Sequence, residues 1–120
     1  RCERCQGQGF IDLDLQYLPP IRATCDLCGG MRYNREALGI RYKGLNMAEV
    51  LDLTVRNAAD FFARIPRIRR PLEVIERIGL GYLRLGQPAH TLSGGEAQRL
   101  KLARELTIQV HESTIYIMDE

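Results

Sequence analysis

Long apolar runs are missing from this 120-residue sequence, and no stretch approaches the roughly 20 apolar residues that a membrane-spanning helix needs. Cysteine is scarce: four copies are too few for a miniprotein stapled by disulfides, and they fall into two pairs, which points to metal. There is no low-complexity tract, and no internal repeat apart from those two pairs. Charge of one sign is also lacking: the net charge of +2 does not by itself declare a nucleic-acid binder. Lysine contributes only two of the 17 basic residues. The rest are arginine, the better bidentate partner of phosphate, although such a bias can also reflect base composition. What is present, 45% hydrophobic and 27% charged residues, is close to a globular average and excludes wholesale disorder or a collagen-like fibre. Length alone argues for one domain. The ends, Arg1-Cys2 and Asp119-Glu120, lead us to expect a piece of something longer.

Three segments separate by composition: a four-cysteine module and link over 1–45, a helical stretch over 46–90, and a glycine-led helix followed by an apolar strand over 91–120. Within the first, Ile11, Leu13 and Leu15 alternate with Asp12, Asp14 and Gln16, a period of two that predicts a half-buried strand. Pro19-Pro20 should stop it, because proline cannot donate to a ladder. In the second, Asn46 and Glu49 form a capping-box pattern for a short helix through Leu51. Thr54 can cap another, with Val55, Ala58, Ala59 and Phe62 on one face, ending near Pro66. Pro71 suits the first turn of a helix over Leu72–Ile78, with Gly79 at its C-terminal cap. The arginines at 64, 67, 69 and 70 then read as a solvated link between helices.

The cysteine spacing, Cys2-x2-Cys5, 19 residues, Cys25-x2-Cys28, matches a four-thiolate zinc site. Two redox pairs or two disulfides are the alternatives; a redox motif would require a βαβ context that is missing here. A closed four-thiolate site leaves no position for substrate, so such a zinc folds a loop and performs no catalysis. Cys2 through Gly9 also matches one CxxCxGxG repeat of DnaJ-type cochaperones, which carry four; here the second copy is partial.

Residues Leu92-Ser93-Gly94-Gly95-Glu96 precede a helix whose Ala97, Leu100, Ala103 and Leu106 share one stripe. Glycines without β-carbons let a phosphate approach backbone amides at the positive end of a helix. An ordinary capped turn, Ser93 with Glu96, explains the same five residues equally well. The run Thr114–Met118 suits a buried parallel strand, and Asp119 and Glu120 follow it, at the sheet end where ligands of α/β folds sit. Acids there can hold Mg²⁺ and orient an attacking water.

Together these residues carry a resemblance. Leu92 to Arg99 resembles the ABC-ATPase signature, and Ile115–Glu120 resembles a Walker B strand with its glutamate. With the four-cysteine ribbon, Cys28–Arg35, Tyr42-Lys-Gly44 and Gly79–Pro88, the chain resembles the UvrA family of damage-sensing excinuclease subunits along essentially its whole length. The resemblance implies an α/β fold with a small zinc-ribbon insertion, a partial ABC-ATPase nucleotide-binding domain with a helical signature subdomain and the Walker B strand. It implies Zn²⁺ on Cys2, Cys5, Cys25 and Cys28; ATP at Ser93, Gly94, Gly95, Glu96 and Gln98; Mg²⁺ at Asp119; and Glu120 polarising the hydrolytic water. Arg32, Tyr33 and Arg35 are implied contacts to DNA, with a structural turn as the competing reading. The implied partners are damaged duplex DNA, a UvrB-type protein and a second copy of the full-length protein, in the cytoplasm and without a membrane. No G-x-x-x-x-G-K-[ST] occurs, so this stretch alone is expected to be inactive as an ATPase. Neither His90 nor His111 takes the place of the switch histidine, and residues 107–113 are more apolar than the usual link. The rival readings are a zinc-ribbon binding module without nucleotide chemistry and a paralogue serving drug self-protection.

Overall fold

The computed structural model describes residues 1–107 and divides the chain into two compact units, Arg1–Asp52 and Leu53–Glu120. The expected strand at Thr114–Met118, with Asp119 and Glu120, lies outside the described residues.

The first unit is a two-stranded antiparallel hairpin, β1 (Phe10–Leu15) and β2 (Leu18–Thr24), followed by two short helices, α1 (Arg35–Gly39) and α2 (Met47–Asp52). Phe10 pairs with Thr24 and Leu13 with Ile21, and the register shifts between Leu13 and Leu15. The alternation predicted a strand, and one forms, but it is not half-buried: Leu13 and Leu15 are 45% and 40% exposed, and Ile11 alone packs on the cysteines. Nor do the prolines stop the ladder. Pro19 and Pro20 lie inside β2, beside the register shift. In a two-stranded sheet each strand has an unpaired edge, and a residue there or at a bulge forfeits little by lacking an N–H. The Asn46–Glu49 box closes reciprocally, Glu49 N–H donating to Asn46 Oδ1 at 3.0 Å and Asn46 N–H to Glu49 Oε2 at 2.7 Å. Neither α1 nor α2 buries a residue.

The second unit is helical. Thr54 Oγ1 accepts from Asn57 N–H at 3.2 Å and opens α3 (Val55–Phe61). This helix stops at Phe61, short of the expected end near Pro66, with Phe62 as its C-cap. Pro66, not Pro71, begins α4 (Pro66–Ile75), so Arg67, Arg69 and Arg70 are helical and not a link. Pro66 wins because proline at a first position loses no bond, and Ile68 and Arg69 already reach back to Ile65 O at 3.0 Å each. Pro71 then sits in the helix interior and gives up one backbone bond. A turn over Glu76–Leu80 follows, reversed at Gly79, whose φ of 82° is the left-handed cap expected there. A single 3₁₀ turn (Ala89–Thr91) precedes α5 (Gly94–Thr107).

Val55, Ala58, Ala59, Leu72, Leu80 and Leu83 form the core, with Phe62, Ile75, Leu92 and Leu100 packed around it. Segment 81–85 is sewn to the start of α3: Val55 N–H donates to Leu83 O at 2.8 Å, Arg56 N–H to Gly81 O at 3.1 Å, and Leu85 N–H to Leu53 O at 3.0 Å. On α5 the stripe holds at Ala103, which is buried, but Leu106 is 48% exposed. No helix among the described residues is long and apolar enough to cross a membrane.

Candidate functional site

Two places concentrate chemistry, one in each unit. In the first, the two cysteine pairs occupy turns of matching conformation 23 residues apart. Gln6 and Gly29 have φ of 51° and 56°, Gly7 and Gly30 of 92° and 85°, and Gly9 and Arg32 of 85° and 69°. The hydrogen bonds repeat with the same offset. Gln8 N–H donates to Cys5 O at 2.9 Å and Met31 N–H to Cys28 O at 3.0 Å. The turns also exchange bonds, Cys2 N–H to Arg32 O at 2.9 Å and Cys25 N–H to Gly9 O at 3.0 Å. Gly9 is required twice over: besides its positive φ, a β-carbon there would lie 2.9 Å from Gly30 O.

This pseudo-two-fold pair of turns brings all four sulfurs within 4.8 Å of one another, buried and unbridged. Cys5 and Cys28 Sγ are 3.7 Å apart, Cys2 and Cys25 Sγ 3.9 Å. Disulfides need about 2.05 Å. A tetrahedron with metal–sulfur bonds of about 2.3 Å has edges of about 3.8 Å. The donor set and its spacing therefore fit a tetrahedral, thiophilic divalent ion. Burial opposes thiolate at Cys5, but the Gly9 and Gly7 amides together with hydrogen bonds from Cys28 and Cys2 outweigh it and lower the thiol to about 6. The Gly9 N–H lies 3.2 Å from that sulfur. At Cys28 burial prevails and pushes the thiol up to about 11. A bound dication would drive all four sulfurs to thiolate.

Beside this centre, Arg32 and Tyr33 are half-buried and Arg35 is exposed as the first residue of α1. The Arg32 stem lies against Gly9, and its backbone completes the second turn. Tyr33 and Arg35 line a cleft with Leu27, Met31 and Leu38. The mirror role of Arg32 and Gly9 was invisible in sequence, since only one of the two is glycine.

In the second unit, Ser93 and Glu96 close their capping box: Ser93 N–H donates to Glu96 Oε2 at 2.7 Å, and Glu96 N–H to Ser93 Oγ at 3.3 Å. Gly94 and Gly95 stand at the exposed N-terminus of α5, and a β-carbon on either would meet nothing within 4 Å. Gln98 is exposed one turn further on. The other oxygen of Glu96 accepts from the Tyr82 hydroxyl. That bond, then the Ser93 donors, lowers the Glu96 carboxyl, and the same bond, then burial, raises the Tyr82 phenol. Arg99 reaches back to Ile78 O at 3.4 Å. Sequence reading missed the role of Tyr82 and, although Arg99 was read as part of the signature, its reach to Ile78, because nothing local links position 82 to 96 or 99 to 78. Asp119 and Glu120 lie outside the described residues.

No family model matches the chain. Over all 120 residues it is 57% identical to UvrABC system protein A of Aquifex aeolicus, covering 13% of that protein. It is 54% identical over the same span to UvrABC system protein A of Methanothermobacter thermautotrophicus, covering 12%. The crystal structure of UvrA2 from Deinococcus radiodurans matches 88% of the chain with a TM-score of 0.83 at 57% identity; 13% of that chain is covered.

Proposed function

From the premise that the chain is UvrA-like along its whole length and spans about an eighth of its relatives, we propose that it is a segment of a UvrA-type ATPase. The parent protein acts in recognition of DNA damage during nucleotide excision repair, using ATP to regulate its hold on duplex DNA and the loading of a UvrB-type partner, as a homodimer in the cytoplasm. Residues 1–45 form its zinc module, 46–90 its helical signature subdomain, and 91–120 the signature helix and Walker B strand of the second nucleotide-binding domain. Zinc on Cys2, Cys5, Cys25 and Cys28 fixes the hairpin base. Ser93, Gly94 and Gly95 face the γ-phosphate of ATP held by another domain, with Glu96 and Gln98 beside them. Asp119 serves Mg²⁺, and Glu120 orients water. Tyr33 and Arg35, with Arg32, face DNA.

The observation that carries this reading is the pairing, in one UvrA-like chain, of a four-sulfur cluster at tetrahedral spacing with an open, glycine-led α5 N-terminus. A free-standing zinc ribbon is not favoured, because the likeness runs through both units. Glu120→Gln in the intact ATPase is expected to lower ATP turnover about a hundredfold or more. ATP-dependent binding to damaged duplex should persist. Unchanged turnover would reject the assignment of Glu120.

A further inference from the structure

The signature turn has few restraints of its own. Ser93, Gly94 and Gly95 are exposed, and neither glycine has a neighbour within 4 Å of its β-carbon position. Two side chains hold the turn: the Glu96 carboxylate, whose Oε2 accepts the Ser93 N–H at 2.7 Å, and Arg99, whose Nε donates to Gly95 O at 3.3 Å. A carboxylate on the first turn of a helix can choose among rotamers, so the question is what selects this one. Its second oxygen is held by the Tyr82 hydroxyl, 14 residues earlier.

Tyr82 stands on a firm base. Its neighbours Gly81 and Leu83 accept main-chain bonds from Arg56 and Val55, Thr54 and Arg84 form a bridge, and Leu80 and Leu83 are in the core. Tyr82 is 58% exposed, so burial of its apolar surface does not account for its place. Arg99 adds a second restraint: its guanidinium donates to Gly95 O at 3.3 Å and to Ile78 O at 3.4 Å, and its charge lies near the Glu96 carboxylate.

We propose that Tyr82 is a positioning residue for the nucleotide-facing turn: its hydroxyl fixes the Glu96 carboxylate, and through it the Ser93 amide and the glycines that follow. The proposal rests on the reading of Ser93–Gly95 as the phosphate-facing signature. It makes the Tyr82–Glu96 bond, beside the Arg99 bonds to Gly95 O and Ile78 O, one of the side-chain ties that dock the turn on the core, so that phosphate meets amides already aimed at it.

The test is a double-mutant cycle in the intact ATPase, with amide exchange in the 120-residue chain beside it. Tyr82→Phe keeps the ring and removes the hydroxyl. It should lower kcat/KM for ATP about three- to tenfold, the worth of one hydrogen bond, and speed exchange of the Ser93 N–H by a similar factor. In a Glu96→Ala background the same change should have an effect below about twofold, because the group it acts through is gone. A merely structural tyrosine would cost the same in both backgrounds, and that result overturns the proposal. So does unaltered exchange at Ser93. If Tyr82→Phe is silent while Ser93→Ala lowers kcat/KM, the positioning role falls and the signature reading stands. If Ser93→Ala is silent as well, both fall.

Discussion

The two units of this chain are organised by different forces. In Arg1–Asp52 the buried residues, among those described, are the four cysteines and Gly9, with Ile11 packed against the cysteines; α1 and α2 bury nothing, and Leu13, Ile21, Leu27 and Ile40 are exposed. In the second unit six apolar side chains from α3, α4 and the segment after them form an ordinary core. A hairpin with so little apolar burial does not offset the conformational entropy of its own ordering. Four thiolates on one ion can, because metal binding in such modules is folding free energy. With metal on the four cysteines, as proposed, the first unit would be held by coordination and the second by the hydrophobic effect, and the two should fail under different insults.

Leu80→Ala is the sharpest way to damage the second unit alone. Leu80 is fully buried at the centre of the core, and its truncation should cost about 2–5 kcal/mol. Thermal or denaturant unfolding followed by the protection of α3 and α4 amides would read this, while bound metal stays constant. Loss of metal with the core would break the comparison.

Gly9→Ala probes the other side with a smaller effect. It forces a β-carbon to within 2.9 Å of Gly30 O at a φ of 85°, a strain of about 1–3 kcal/mol. Competition with a chromophoric chelator should show weaker metal retention, with the α3–α5 amides unaltered. Retention equal to the parent's would mean that the turn does not help to shape the site.

The same contrast explains what was legible in the sequence. Features set within three or four residues came through: both capping boxes, the Thr54 cap, the Gly79 turn and the spacing of the cysteine pairs. Features decided by competition or by distant partners did not. Either Pro66 or Pro71 could have started a helix, and only the extra turn gained from Ile65 onward favours the first. The period-two pattern in β1 marked a strand, but no second layer covers Leu13 and Leu15 among the described residues. Tyr82 meets Glu96 only after the chain has reversed at Gly79.

The most direct measurement is hydrogen exchange over the whole 120-residue chain before and after removal of metal by a strong chelator under reducing conditions. Amides of β1, β2 and the two cysteine turns are expected to lose protection, while α3, α4 and α5 keep theirs. Retained protection in the hairpin after the metal has gone, or loss of protection in both units together, would contradict that expectation.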